Sequence, residues 1–79
     1  MTTEDYLVLH ANIPLRQHII DTAKGLSRDK RIQADLVGHA WFILGEAKAQ
    51  KTDEYYRRYA MLRMQKRYLL IVYKEVFIT

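Results

Sequence analysis

Cysteine is absent from the 79 residues, proline occurs once and glycine three times. Without cysteine there is no disulfide framework, no cysteine-ligated zinc and no thiol nucleophile. The chain must therefore be held by its core alone or by a partner. So few glycines and prolines leave few obligatory turns, which favours helices. Long apolar runs are missing too. The longest near the C-terminus, Tyr68 to Tyr73, is closed by Lys74, whereas a bilayer span needs about 20 apolar residues. The opening Met-Thr-Thr-Glu-Asp has no basic stretch and no long apolar segment, so it does not read as a signal peptide. A soluble, cytoplasmic protein is expected.

What is present is ordinary globular composition, 49% hydrophobic and 28% charged. A chain of this length buries only roughly 60% of its unfolded surface, so residues 1–79 are expected to form a single helical domain. That size leaves no room for the large pocket-lined scaffold most enzymes use. The net charge of +4 is unevenly placed. Met1 to Gln50 carries six basic and six acidic residues, whereas from Lys51 onward seven basic residues meet only Asp53, Glu54 and Glu75. An anionic partner for the C-terminal element is one explanation, and a solvated helix face is the other.

Periodicity divides the chain into helices. Thr3, Glu4 and Asp5 suit a helix N-terminus, although Tyr6 to His10 fits a short helix and an extended arm equally. Pro14 is placed to open the next helix, with an apolar stripe of Leu15, Ile19, Ile20, Ala23 and Leu26 that Gly25 and Ser27 end. Asp29 is a good N-cap for a third helix, whose stripe is Ile32, Leu36, Ala40, Ile43, Leu44 and Ala47. After a polar connector, Thr52 or Asp53 caps a last helix running from about Glu54 to beyond Tyr73. Leu69 to Tyr73 and Val76 to Ile78 also suit a strand, but the upstream pattern is continuous and favours helix. The predicted fold class is all-α, a small bundle of three main helices with a short fourth at the N-terminus.

On the last helix, Ala60, Met61, Met64, Tyr68, Ile71 and Val72 make a plausible core face. Tyr56, Tyr59, Arg63, Lys66, Arg67, Leu70, Lys74 and Phe77 gather opposite. Interleaved cations and aromatics are what single-stranded nucleic acid requires, cations for phosphates and rings for unpaired bases. Alternatively, Tyr56, Tyr59 and Phe77 pack under neighbouring helices while the arginine stems snorkel.

Chemistry-bearing constellations are thin. Asp35 and His39 are helical neighbours, as are His18 and Asp21, but neither pair reaches the three or four ligands a metal site needs. Gly25, Gly38 and Gly45 stand apart and make no phosphate loop. Ser27, the lone serine, reads as a helix boundary. No catalytic residue, metal or cofactor is expected, and the protein is not expected to be an enzyme. Trp41 borders the third stripe, as an inter-helix anchor or a partner hot spot.

Two segments resemble a known family. The first is Ala34-Asp35-Leu36-Val37-Gly38-His39-Ala40-Trp41-Phe42-Ile43-Leu44-Gly45-Glu46-Ala47. It is similar to the long helix of region 2 in bacterial RNA polymerase sigma factors, with its acidic residue, two aliphatics and closing Glu-Ala. The second is Tyr56-Arg57-Arg58-Tyr59-Ala60-Met61-Leu62-Arg63-Met64-Gln65-Lys66-Arg67-Tyr68-Leu69-Leu70. It resembles the following helix of that region, with its aromatic-x-x-Tyr-Ala-x-x-Arg pattern. The resemblance covers about residues 14–75. It implies a transcription module that docks on the clamp coiled coil of the polymerase β′ subunit and contacts unpaired bases of the promoter −10 element. By position, Asp35, Gly38, His39 and Phe42 would face the polymerase, and Tyr56, Tyr59, Arg63, Lys66 and Arg67 the DNA.

Gly38 and His39 stand where the family usually has Gln and Glu, and Leu62 and Arg63 where housekeeping members carry tandem tryptophans. No region 4 follows within these residues, so a separate chain is expected to supply it. Two other functions remain open. One is a small interaction module binding a sigma factor, the polymerase or a second copy of itself without DNA contact. The other is a DNA-binding regulator of phage or mobile-element type.

Overall fold

Short polar side chains at the helix starts set the element boundaries. In the computed structural model, which describes residues 1–74, Thr2 opens α1 (Thr3–His10) with a reciprocal capping box to Asp5. The segment that suited an arm or a helix is therefore helical. Asn12 caps α2 (Ile13–Leu26) by accepting from the Leu15 N–H. Its side-chain amide also donates to Asp53 at 2.9 Å, tying the start of α2 to the start of α4. Asp29 caps α3 (Lys30–Gly45), accepting from the Arg31 N–H at 2.8 Å. That hydrogen bond holds the Asp29 carboxyl below its usual range. The Thr52 hydroxyl accepts from the Tyr55 N–H at the head of α4 (Asp53–Lys74). Each such cap contributes about 0.5–2 kcal/mol by satisfying an otherwise orphaned N–H.

The segment Leu69–Tyr73 is helical, which resolves the strand alternative. Phe77 and the Val76–Ile78 segment lie outside the described residues. Four helices and no strand make up the described residues, and none is long and apolar enough to cross a membrane.

The core lies where α2, α3 and α4 meet. Leu15, Ile19, Leu36, Leu44 and Met64 are fully buried, and Ala23, Ala40, Ala47, Ala60 and Ile71 fill the space between them. Side chains of that size contribute roughly 1.5–3 kcal/mol each on complete burial. The alanines let the helices approach closely. Leu9 brings α1 onto this core.

On α4 the buried line runs through Tyr56, Ala60, Met64 and Ile71. Two sequence expectations are corrected here: Val72 is exposed, and Tyr56 belongs to the core. At about 100° per residue Tyr56 sits about 40° from Ala60, whereas Val72 is about 120° away. Tyr56 also organises the connector between α3 and α4. Its hydroxyl donates to the Lys48 carbonyl at 2.7 Å and accepts from the Lys51 N–H. Gln50, between those two residues, takes a left-handed φ of 58°.

Trp41 is an inter-helix anchor. It packs obliquely against His10 with ring centroids 4.4 Å apart and makes an edge-to-face contact with Tyr6. The Tyr6 hydroxyl donates to the Trp41 carbonyl at 3.2 Å, which fastens α1 across α3.

Candidate nucleic-acid interface

The candidate site lies between the central part of α3 and the C-terminal half of α4. On α4, Arg67 falls only about 20° from the Ala60 line, so its guanidinium is drawn toward α3. There it meets Asp35 in a bidentate pair, with Nε to Oδ2 at 3.0 Å and Nη2 to Oδ1 at 3.1 Å. Both side chains are largely shielded, at 19% and 27% of full exposure. Forked Arg–carboxylate pairs are among the stronger polar contacts a protein makes. This one raises the Arg67 pKa above its ordinary value. Arg67 is therefore a structural cation first, and its planar fork ties α4 to α3.

One turn along, His39, Ile43, Arg63, Lys66, Arg67 and Leu70 line an open cleft of about 210 Å³. The Arg63 guanidinium lies over the Tyr59 ring, 5.2 Å from its centroid. Tyr59 in turn packs obliquely against Tyr55 at 5.8 Å. Among the described residues no carboxylate pairs with Arg63 or Lys66, in contrast to Arg67. The cleft thus offers two cations to solvent, a ring beside them, and an apolar floor of Ile43 and Leu70. Those parts suit a phosphate and an adjoining base face.

The expected residue sets are regrouped by the fold. His39, expected on a polymerase-facing surface, lines the same cleft as Arg63, Lys66 and Arg67, expected to face DNA, and Asp35, expected beside His39, pairs with Arg67. Gly38 is exposed, and a side chain placed there would meet nothing within 4 Å. Phe42 is 65% exposed and borders a different groove, with Tyr6, Trp41 and Gly45. Tyr56, expected among the DNA contacts, is corrected to a core and loop-anchoring residue, because its ring is buried and its hydroxyl is occupied.

Ile43 completes the cleft although its spacing reads as one more position of the α3 apolar stripe, whereas Leu70 shares the basic-aromatic side of α4 expected from sequence. No cluster of three or more potential metal ligands occurs among the described residues. The His18–Asp21 pair does not form a contact: Asp21 bonds Gln17, and the His18 Nε2 is buried without a partner.

Burial holds the His39 imidazole below the usual histidine range. Arg67 adds to that depression, Asp35 opposes it, and Arg63 lowers it further. Stability therefore changes with acidity in a defined direction. Above the usual imidazole value of about 6.5, folded and unfolded chains both hold His39 neutral, and nothing is lost. As pH falls through that value, the unfolded chain takes up the proton first, and the fold loses stability until the lower folded pKa is passed. Denaturant unfolding between pH 7.5 and 5, about the imidazole range, should show a shallower loss for His39→Gln than for the wild type. Equal slopes would show that His39 titrates normally.

The fold and this cleft define a small helical domain with a cationic, aromatic-edged surface. No family model, curated protein or solved structure matches the chain.

Proposed function

We propose that the protein is a transcription module of the sigma region-2 type, which binds RNA polymerase through α3 and single-stranded promoter DNA through the α3–α4 cleft. The observation that carries this is the Tyr59–Arg63 stack beside Lys66, a ring and two cations that have no carboxylate partner among the described residues, on one open edge. Arg63 and Lys66 take the phosphates of an unpaired strand, and Tyr59 or the apolar floor takes a base. Gly38 and Phe42, on the exposed side of α3, supply the docking surface for the β′ clamp coiled coil. The resemblance of Ala34–Ala47 and Tyr56–Leu70 to region 2 supports the same assignment.

The Asp35–Arg67 pair favours a second function. It neutralises one expected contact from each set, as suits a protein-interaction module that keeps the fold and does not touch DNA.

Fluorescence anisotropy with a labelled single-stranded oligonucleotide, its duplex form and core RNA polymerase separates the two. A transcription module binds polymerase and prefers the single strand, with a log–log salt slope near −0.7 per phosphate contact. Saturable polymerase binding with no oligonucleotide binding at low salt would assign the interaction module instead.

A further inference from the structure

The face of α4 directed away from the core carries a second, unexplained pattern. Leu69 lies about 180° from Ala60 on the helix wheel, and Leu62, Leu69, Val72 and Tyr73 are 54%, 51%, 46% and 78% exposed. Arg58, Leu62, Gln65, Leu69 and Val72 follow one another at spacings of four, three, four and three. That is the four-three spacing of a coiled-coil seam, narrower than the stripe by which a helix packs onto a globular core. The core of this domain does not need it, since α4 already buries its opposite side.

Charge decides what fits. From Tyr55 to Tyr73 the helix has five basic residues and no acidic one. Arg58 heads the seam and Lys66 flanks it, both exposed. A second copy is a poor occupant. An antiparallel pairing centred between Leu62 and Leu69 sets Lys66 beside its own counterpart, and a parallel pairing does the same for Arg58. A lipid surface is also a poor fit, because Gln65 interrupts the middle of the apolar line. In paired helices, by contrast, a polar residue within the apolar line of a seam commonly sets the register.

We infer that this face is a docking seam for an amphipathic helix of a partner protein, one with acidic residues flanking its apolar stripe. The partner helix lies along about two heptads of α4. Leucine-type side chains enter between Leu62, Leu69 and Val72, and its carboxylates meet Arg58 and Lys66. The seam lies across α4 from the α2–α3 core, and it shares only Lys66 with the cleft, so a partner helix and a single strand compete for that one cation.

The test uses the intact chain and two labelled synthetic helices of about three heptads. Both carry leucine on the seam, one with glutamate and the other with lysine at the flanking positions. Saturable binding of the glutamate helix, at least tenfold tighter than the lysine helix, is expected. Leu69→Gln and Leu62→Gln should each weaken it at least tenfold with unchanged far-UV circular dichroism, since both positions are half exposed. Equal affinity for the two helices would overturn the proposal, as would indifference to both substitutions. So would a homodimer in sedimentation that Leu69→Gln dissociates, or binding to phosphatidylserine vesicles without binding to the glutamate helix.

Discussion

Leu36→Ala is expected to leave the chain largely unfolded in water. Leu36 is completely buried on α3, the helix that makes its most extensive contact with α4. Truncating such a leucine removes about 2–5 kcal/mol, because the lost transfer energy is joined by a cavity that only partly collapses. A single core of this size supplies no more than roughly 3–5 kcal/mol net. No disulfide is present to hold the ends together, and no cluster of metal ligands is present among the described residues. Thermal melts followed by circular dichroism should lose their cooperative transition. A surviving transition close to the wild-type midpoint would mean that the bundle is held elsewhere, by a partner or by self-association.

The double substitution Arg63→Gln with Lys66→Gln is expected to lower affinity for a single-stranded oligonucleotide at least tenfold. Each residue presents a cation to the cleft without a carboxylate partner among the described residues, so each neutralisation removes a phosphate contact and little structural support. The log–log salt slope should become shallower by about 1.4, two contacts at roughly 0.7 each. Asp35→Asn should act in the opposite direction. It releases the Arg67 guanidinium from its bidentate partner and removes a negative charge from the edge of the cleft, so oligonucleotide affinity should rise. It should also destabilise the fold, since a shielded cation then loses its counter-charge. An unchanged affinity in both variants would place any nucleic-acid contact on another surface.

Acidification should push binding and stability apart. Protonated His39 adds a positive charge beside Arg63 and Lys66, which strengthens anion binding, while its lowered pKa makes the fold less stable at acid pH. The two effects share one imidazole. His39→Gln should remove both.

Local signals in the sequence carried the helix boundaries. Asp29 and Thr52 are short acceptors ahead of apolar repeats, and such residues cap helices whatever surrounds them. Asn12 was equally available as a cap but was overshadowed by Pro14, so α2 begins one residue earlier than expected. The buried stripes of α2 and α3 follow their apolar spacing almost residue for residue, with Ile20 left at the surface.

The last helix was harder because it is apolar on more than one side. Met61, Tyr68 and Val72 drew the expected core face away from Tyr56 and Arg67, although both lie closer than Val72 to the Ala60 line. Tyrosine and arginine look like surface residues until a fold supplies partners for their polar ends. Here those partners are the Lys48 carbonyl and the Asp35 carboxylate. Asp35 and Arg67 are 32 residues apart in sequence, and no periodicity encodes a contact that depends on how two helices dock. The packing of His10 against Trp41 was illegible for the same reason. The basic edge itself was legible, because Tyr59, Arg63 and Lys66 share one side of a helix at spacings of three and four.

The most direct test is a ¹H–¹⁵N NMR titration of the whole chain with a short single-stranded oligonucleotide, followed residue by residue at low salt. Shifts concentrated at His39, Ile43, Tyr59, Arg63, Lys66 and Leu70, fading as salt is raised, are the expected result. Shifts confined to other faces, such as the exposed Leu7, Val8 and Ile13, or no shifts at all, would contradict a nucleic-acid surface between α3 and α4.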